Sequence, residues 1–569
     1  MSVRSLRFRL AVLLAASPFL LLAQQTANPK ESSGPSQNIL RSTTRLVQLS
    51  VIVQNKNGEP ILGLKKNDFT LLDEGRKQKI AFFSVKQPAP ITSHQPLPAN
   101  VFTNRLDLNG QDPGAVTILL YDALNTSFLD QAYVRAHILR FLQTMKPQDH
   151  VALYALTTQL RILQDFTTDS NSLLNAANHI QPSATAAYDA SHPEKFDAPA
   201  LHSDPMWMRF QNAVNNASGE ISDQNVANRA ELTTAAIVAI ADHVAGIPGR
   251  KSLIWVSDGI PIQIGMDRIG SIDRDTVSFE GSDSGTKSGS ASRSRDFSGA
   301  ARALNRANLS IYPVDAHGVE TDPIGGGSNF FMRQDRRDTF RLLADRTGGK
   351  AFYGTNDIAG AMHDALEDGR YTYTLGYYPD HGSWDGKFRE IRLTVKAQGA
   401  HLRYRRGYFA LPDQSEGDTV AKAELQLAAF SPLDATYLGI VVVGKVLPPL
   451  ASRNLLLQLT LNPTQFLLHD SGHRLRGGLD LLFLQRDMAG KFLAAERQHF
   501  DVNFTAKDFQ SLSKTGLVLQ RNLTVNPAAD DVRIVVRDSS SGALGTVTFP
   551  VKAFLPANSV SSDSPNRPN

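Results

Sequence analysis

Val116-Thr117-Ile118-Leu119-Leu120-Tyr121-Asp122-Ala123-Leu124-Asn125-Thr126 decides how this chain is read. A nearly unbroken apolar run ends abruptly in an aspartate. Such a run, bounded by polar residues, suits a strand buried on both faces of a parallel sheet. Ser127 to Met145 then carries Leu129, Ala132, Ala136, Leu139 and Leu142 at helical spacing, and Pro147 stops the helix. The alternation continues downstream. Strand-like Val151–Leu156 precedes a helix near Ser170–His179, and a helix near Ala227–Ala245 precedes strand-like Ser252–Ser257, which ends in Asp258. Helices near Gly299–Ala307, Asp335–Arg346 and Asp357–Glu367 separate the strand-like runs Leu309–Val314 and Ala351–Tyr353. Strand and helix in this order predict a doubly wound, Rossmann-like α/β domain over 114–368.

β-type patterns flank that domain. Residues 42–86 alternate like strands, with turn signals at Asn55-Lys56-Asn57-Gly58 and Asp73-Glu74-Gly75, and residues 369–410 supply further strands. Neither piece is large enough to stand alone. The economical arrangement pairs them into one sandwich, with the α/β domain inserted between its strands; the rival is two separate β appendages. The connections 24–41, 87–113 and 411–421 read as linkers. From 422 to 556, at least six strand-like runs predict a C-terminal Ig-like β-sandwich, followed by a polar, disordered tail over 557–569. The fold class is therefore α/β plus all-β.

The first 23 residues read as a signal peptide: Arg4, Arg7 and Arg9 precede the short apolar run Leu10–Leu22, and Ala23 offers a cleavage position. No later stretch reaches about 18 uninterrupted apolar residues, so no transmembrane segment is expected in the mature chain. Removing the leader takes three positive charges from a formal net charge of +4, which leaves no electrostatic case for nucleic acid. Cysteine is absent, which excludes disulfides, thiolate metal sites and cysteine nucleophiles. An exported chain without disulfides points to a periplasmic, cell-envelope or secreted location in a bacterium.

In open α/β sheets, ligands sit beyond the carboxyl ends of the strands. Asp122 and Asp258 both stand at such ends, and Leu232-Thr233-Thr234 opens a helix between them. This order resembles the von Willebrand factor A domain, whose metal-ion-dependent adhesion site uses Asp-x-Ser-x-Ser, a threonine on a middle loop and a later aspartate. The layout also resembles acidobacterial-type VWFA-related proteins. That likeness rests on Gly63-Leu64-Lys65-Lys66-Asn67-Asp68-Phe69-Thr70-Leu71-Leu72-Asp73-Glu74-Gly75, on Pro248–Gly259 and on Tyr404-Arg405-Arg406-Gly407-Tyr408. It spans about residues 42–410.

The resemblance implies metal ligands at Asp122, Thr126 and Asp258, with Thr233 or Thr234 from the middle loop, and Mg2+ or Mn2+ as the ion. Hard divalent cations take such oxygen donors. The departure is Leu124, which stands where the pattern has a serine and cannot ligate, so the site is degenerate. The implied function is an exported, non-enzymatic interaction or adhesion protein that binds a protein or glycan ligand at the carboxyl edge of the sheet. Two alternatives stay open: an envelope hydrolase or carbohydrate-active enzyme using the same crevice, and a structural scaffold with a dead metal site.

Other motifs carry less. Gly246-Ile247-Pro248-Gly249-Arg250-Lys251-Ser252 lacks phosphate-loop spacing and reads as a helix stop. Arg403, Arg405 and Arg406 read as a solvated strand face or a domain contact. Residues 181–226 and 259–297 read as long insertions near the site, and Gly281–Ser294 as a mobile loop.

Overall fold

The computed structural model describes residues 46–86, 97–98, 100–105, 108, 115–182, 205–247, 249–259, 303–319, 327–410, 418–449 and 453–554. The leader, the 24–41 linker, the Gly281–Ser294 loop and the C-terminal tail lie outside them.

The first β segment gives β1 (Val47–Gln54), β2 (Phe69–Asp73), β3 (Arg76–Gln78) and β4 (Ile80–Lys86). A short β5 (Val101–Thr103) follows. The α/β region then runs β6 (Ala115–Asp122), α1 (Phe128–Gln143), β7 (His150–Leu156), β8 (Leu160–Thr167), α2 (Ser170–Asn178) and α3 (Pro205–Val244). It continues with β9 (Arg250–Ser257), β10 (Leu309–Asp315), α4 (Gly327–Thr347) and α5 (Ile358–Asp368). The sheet order is β8-β7-β6-β9-β10, all parallel except β8, which runs antiparallel to β7.

Alternate residues of β6 feed two apolar layers. Ile118 and Leu120 pack with Ile237 and Ile240 of α3, Trp255 of β9 and Phe340 of α4. Leu119 and Tyr121 pack with Val134 and Ile138 of α1, Leu173 of α2 and Ile358 of α5. A strand covered on both faces favours apolar side chains along its length, which is why the run is nearly continuous, with Thr117 its one polar interruption, and why it gives way to Asp122 at the strand end. Strand order reverses between β6 and β9, so the crevice of this open sheet lies at their carboxyl ends.

Helix α3 is longer than its sequence pattern indicated. The segment read as insertion 181–226 contributes its N-terminal half, and all 40 residues from Pro205 to Val244 are helical, so Leu232-Thr233-Thr234, read as opening a helix on a middle loop, lies well inside one.

The second β segment gives β11 (Thr372–Tyr377), β12 (Phe388–Val395), β13 (His401–Arg403) and β14 (Gly407–Phe409). Its strands pair with those of the first segment in two sheets, β13-β1-β11-β4 and β14-β12-β2-β3. One core joins Leu49, Val51, Phe69 and Leu71 to Tyr373, Leu375, Ile391 and Leu393. The inward position at the end of β2 is Asp73, a buried carboxylate that is tolerated because Tyr377 and Tyr408 both donate to its Oδ2 at 2.9 Å.

After α6 (Asp418–Phe430), the C-terminal region gives β15 (Ile440–Leu447), β16 (Asn454–Leu461), β17 (His469–Asp470), β18 (Arg474–Arg486) and β19 (Phe492–Thr505). It ends with α7 (Ala506–Thr515), β20 (Leu517–Thr524), β21 (Asp531–Asp538) and β22 (Leu544–Pro550). One sheet is β20-β16-β15-β5; the other is β17-β18-β21-β22, with β19 also paired to β18.

Two stretches differ from their reading as linkers. Within 87–113, β5 pairs with Val441–Val443, Phe102 packs against Phe549 and Phe554, and Asn104 donates to Ala435 O and Leu438 O. Three residues are too few for an alternation signal, so only the partner strand reveals the pairing. At the other join, α6 begins inside 411–421, and its Leu425 and Ala428 pack with Val535 and Leu544. The α/β region meets the C-terminal region where Gly246 N–H donates to Thr436 Oγ1 at 2.9 Å and Thr436 N–H to Asp242 O at 3.0 Å.

Candidate functional site

The loop after β6 is built from its own side chains. Ser127 caps α1, and Gln131, one turn into the helix, donates to Ala123 O at 3.2 Å and Thr126 O at 3.0 Å. These bonds fold Ala123–Thr126 back over the helix start. Leu124 N–H donates to Leu156 O, and its side chain is fully buried in the apolar layer with Leu156, Ile237 and Trp255.

Asp122 is completely buried. Its Oδ1 accepts from the backbone and side-chain amides of Asn125 at 3.0 and 3.1 Å; its Oδ2 accepts from Asn125 Nδ2 and Trp255 Nε1, both at 2.9 Å. Burial pushes its pKa up to about 6, against the pull of these donors. The same Asn125 Nδ2 donates to Thr233 Oγ1 at 2.9 Å, and Asn125 Oδ1 accepts from Arg229 Nε at 3.0 Å. Arg229 sits four residues before Thr233, on the same face of α3, and is buried.

Asp258, just beyond β9, is also buried. Its Oδ2 accepts from Ser127 N–H at 2.6 Å, and its Oδ1 lies 2.9 Å from His317 Nδ1. The same imidazole nitrogen is 3.5 Å from Asp130 Oδ2. Burial raises the Asp258 pKa, opposed by His317. The start of α1 and the ends of β9 and β10 therefore meet through three ionisable side chains.

Of the residues expected to ligate, Asp122 and Thr233 come together through Asn125. Thr126 stands in the same turn, its buried Oγ1 without a hydrogen-bond partner among the described residues, and Asp258 is joined to that turn through Ser127. Thr234 donates instead to Ala230 O within its own helix, at 2.7 Å. Sequence reasoning missed Arg229, Trp255, Asp130 and His317. Arg229 carried a usable signal, a cation at i−4 to a candidate threonine; His317 showed only as the second residue beyond a strand ending in Asp315.

A divalent ion placed as the resemblance implies would need the lone pairs of Asp122 and Thr233. Asn125 bridges the two, and Asp122 meets four N–H···O contacts. A magnesium ion requires oxygens at about 2.0–2.1 Å in near-octahedral order. The residues present between Asp122 and Thr233 do not fit it.

No protein-family model and no curated protein matches the chain. It is similar to solved structures of two Bacteroides proteins. One is an aerotolerance-related membrane protein of Bacteroides fragilis bearing multiple mutations to serine (13% identity, 44% of this chain and 98% of that one, TM-score 0.23). The other is BatB of Bacteroides thetaiotaomicron (13% identity, 45% and 97%, TM-score 0.22). It is also similar to three N-terminal domains of the type V pilus tip protein Mfa5 of Porphyromonas gingivalis (9% identity, 84% and 97%, TM-score 0.25). Scores this low assign neither family nor function. Among the described residues, no helix is long and apolar enough to cross a membrane.

Proposed function

We propose that the chain is an exported, non-enzymatic interaction protein of von Willebrand factor A type, which binds a protein or glycan ligand of the cell envelope at the carboxyl edge of its central sheet. One observation carries this reading. Asp122, Asn125, Thr233 and Asp258 at that edge are engaged in holding loops together, while large apolar side chains beside them face solvent. Phe128 and Leu129 open α1, with Leu129 84% exposed. Tyr133, one turn on, donates to Asn356 O, and Asn356 Oδ1 accepts from Val319 N–H; Tyr133 and Val319 are both exposed. An apolar rim around Asp130 and His317 is the kind of surface that marks a binding face.

The test uses labelled mature protein and isolated bacterial envelopes, untreated, protease-stripped or periodate-oxidised. Saturable binding that Leu129→Asp abolishes supports the reading. Its loss after protease or after periodate tells protein from glycan. Equal binding by wild type and Leu129→Asp refutes it. Turnover of an ester, phosphate or glycoside substrate that is lost in Asp258→Asn would establish the hydrolase alternative instead.

A further inference from the structure

We infer that Arg229, acting through the side-chain amide of Asn125, stands in for a divalent ion between Asp122 and Thr233, so that this junction of β6 and α3 is held without metal. An ion in such a crevice neutralises buried carboxylate charge and ties separate loops together. Both tasks are performed here by side chains. Asn125 Nδ2 reaches Asp122 Oδ2 and Thr233 Oγ1 at 2.9 Å each, so one NH2 group links the end of β6 to α3. Its carbonyl oxygen takes the Arg229 Nε–H at 3.0 Å. The amide orientation is forced: reversed, Asn125 would aim an oxygen at the Asp122 carboxylate and an NH2 at a guanidinium.

The charges also match. Arg229 is only 4% exposed and Asp122 is fully buried. Each is costly to bury alone and much less so when an opposite charge is coupled to it. A guanidinium on the oxygen side of an amide polarises it and strengthens donation from the nitrogen side. Positive charge is thereby delivered to the carboxylate through one intervening group, as a fixed part of the chain. Leu124 agrees with this: its side chain belongs to the apolar layer under α3, so the position that would supply a ligating hydroxyl supplies core packing. Asp258 holds Ser127 N–H and faces His317, which also lies beside Asp130, so these carboxylates form a separate cluster from the Asp122 junction.

The inference is tested by metal binding and folding rather than by partner capture, so its failure is separate from that of the proposed function. Mn2+ is titrated into the full mature chain and the free ion is counted by electron paramagnetic resonance. The expected result is no stoichiometric binding at the Asp122 edge and a urea midpoint unchanged by EDTA. One Mn2+ bound per chain, and lost in Asp122→Asn, overturns the inference. A double-mutant cycle supplies the second readout. Arg229→Met strands a buried carboxylate and lowers the urea midpoint, and adding Asp122→Asn recovers part of that loss. If Arg229→Met alone does not fold, recovery of folding in the double variant gives the same answer. Strictly additive losses, or an Arg229→Met variant as stable as wild type, overturn it.

Discussion

Leu124→Ser is the substitution the adhesion-site pattern invites, since it returns a hydroxyl to the vacant ligand position. The structure predicts damage instead. Leu124 is fully buried among Ile118, Leu156, Ile237 and Trp255. Truncating a core leucine costs about 2–5 kcal/mol, because the lost transfer energy is joined by the cavity left behind. A serine hydroxyl buried there without a partner adds about 1–3 kcal/mol. A total near 4 kcal/mol, with a urea dependence of about 3 kcal/mol per molar, shifts the unfolding midpoint of the α/β region down by roughly 1.3 M. Tryptophan fluorescence is a suitable probe, because Trp255 lies in the same layer. A variant whose midpoint falls by less than about 0.3 M, or which gains Mn2+-dependent stability, would refute the placement of Leu124 and reopen the metal site.

Two further outcomes follow from contacts away from the edge. Gly246→Ala places a Cβ about 2.0 Å from Thr436 O, a backbone atom that cannot swing aside; we expect the α/β and C-terminal regions to unfold in separate steps by calorimetry where wild type shows coupled ones, and an unchanged trace would count against this contact. His243 is buried, with Nδ1 2.6 Å from Asp434 O and Nε2 3.8 Å from Asp165, close enough for Coulomb attraction but not for a hydrogen bond. Burial pushes its pKa down, yet the Asp165 carboxylate and Asp434 outweigh burial and hold it above 6.5. A raised folded-state pKa means stability fully present below about pH 6.5 and lost as pH rises through the folded value; urea midpoints should fall across that window, and His243→Gln should flatten the slope. Parallel slopes would show that the ion pair carries no such linkage.

Strands buried on both faces were legible because burial leaves a compositional record. Val151–Leu156, Ser252–Ser257 and Leu309–Val314 coincide closely with β7, β9 and β10. Strand β8 left none: it pairs only with β7, at the sheet edge, and its Arg161, Ile162 and Asp165 face water, so neither a continuous apolar run nor a clean alternation forms. The same limit hid β5, α6 and the N-terminal half of α3, whose placement depends on partners far away in sequence. At the site, Asp122 and Asp258 could be read because a strand end is a local feature. The part played by Asn125 could not: it depends on Arg229, 104 residues downstream.

Helix α3 has a consequence for how the crevice is held. Thr233 marks the level of the carboxyl edge, and the helix begins at Pro205. At 1.5 Å per residue, about 40 Å of helix precedes that level. The threonine that meets Asn125 is thus carried by a helix far longer than holding one hydroxyl requires, so changes near Pro205 can reach the edge only through this single element.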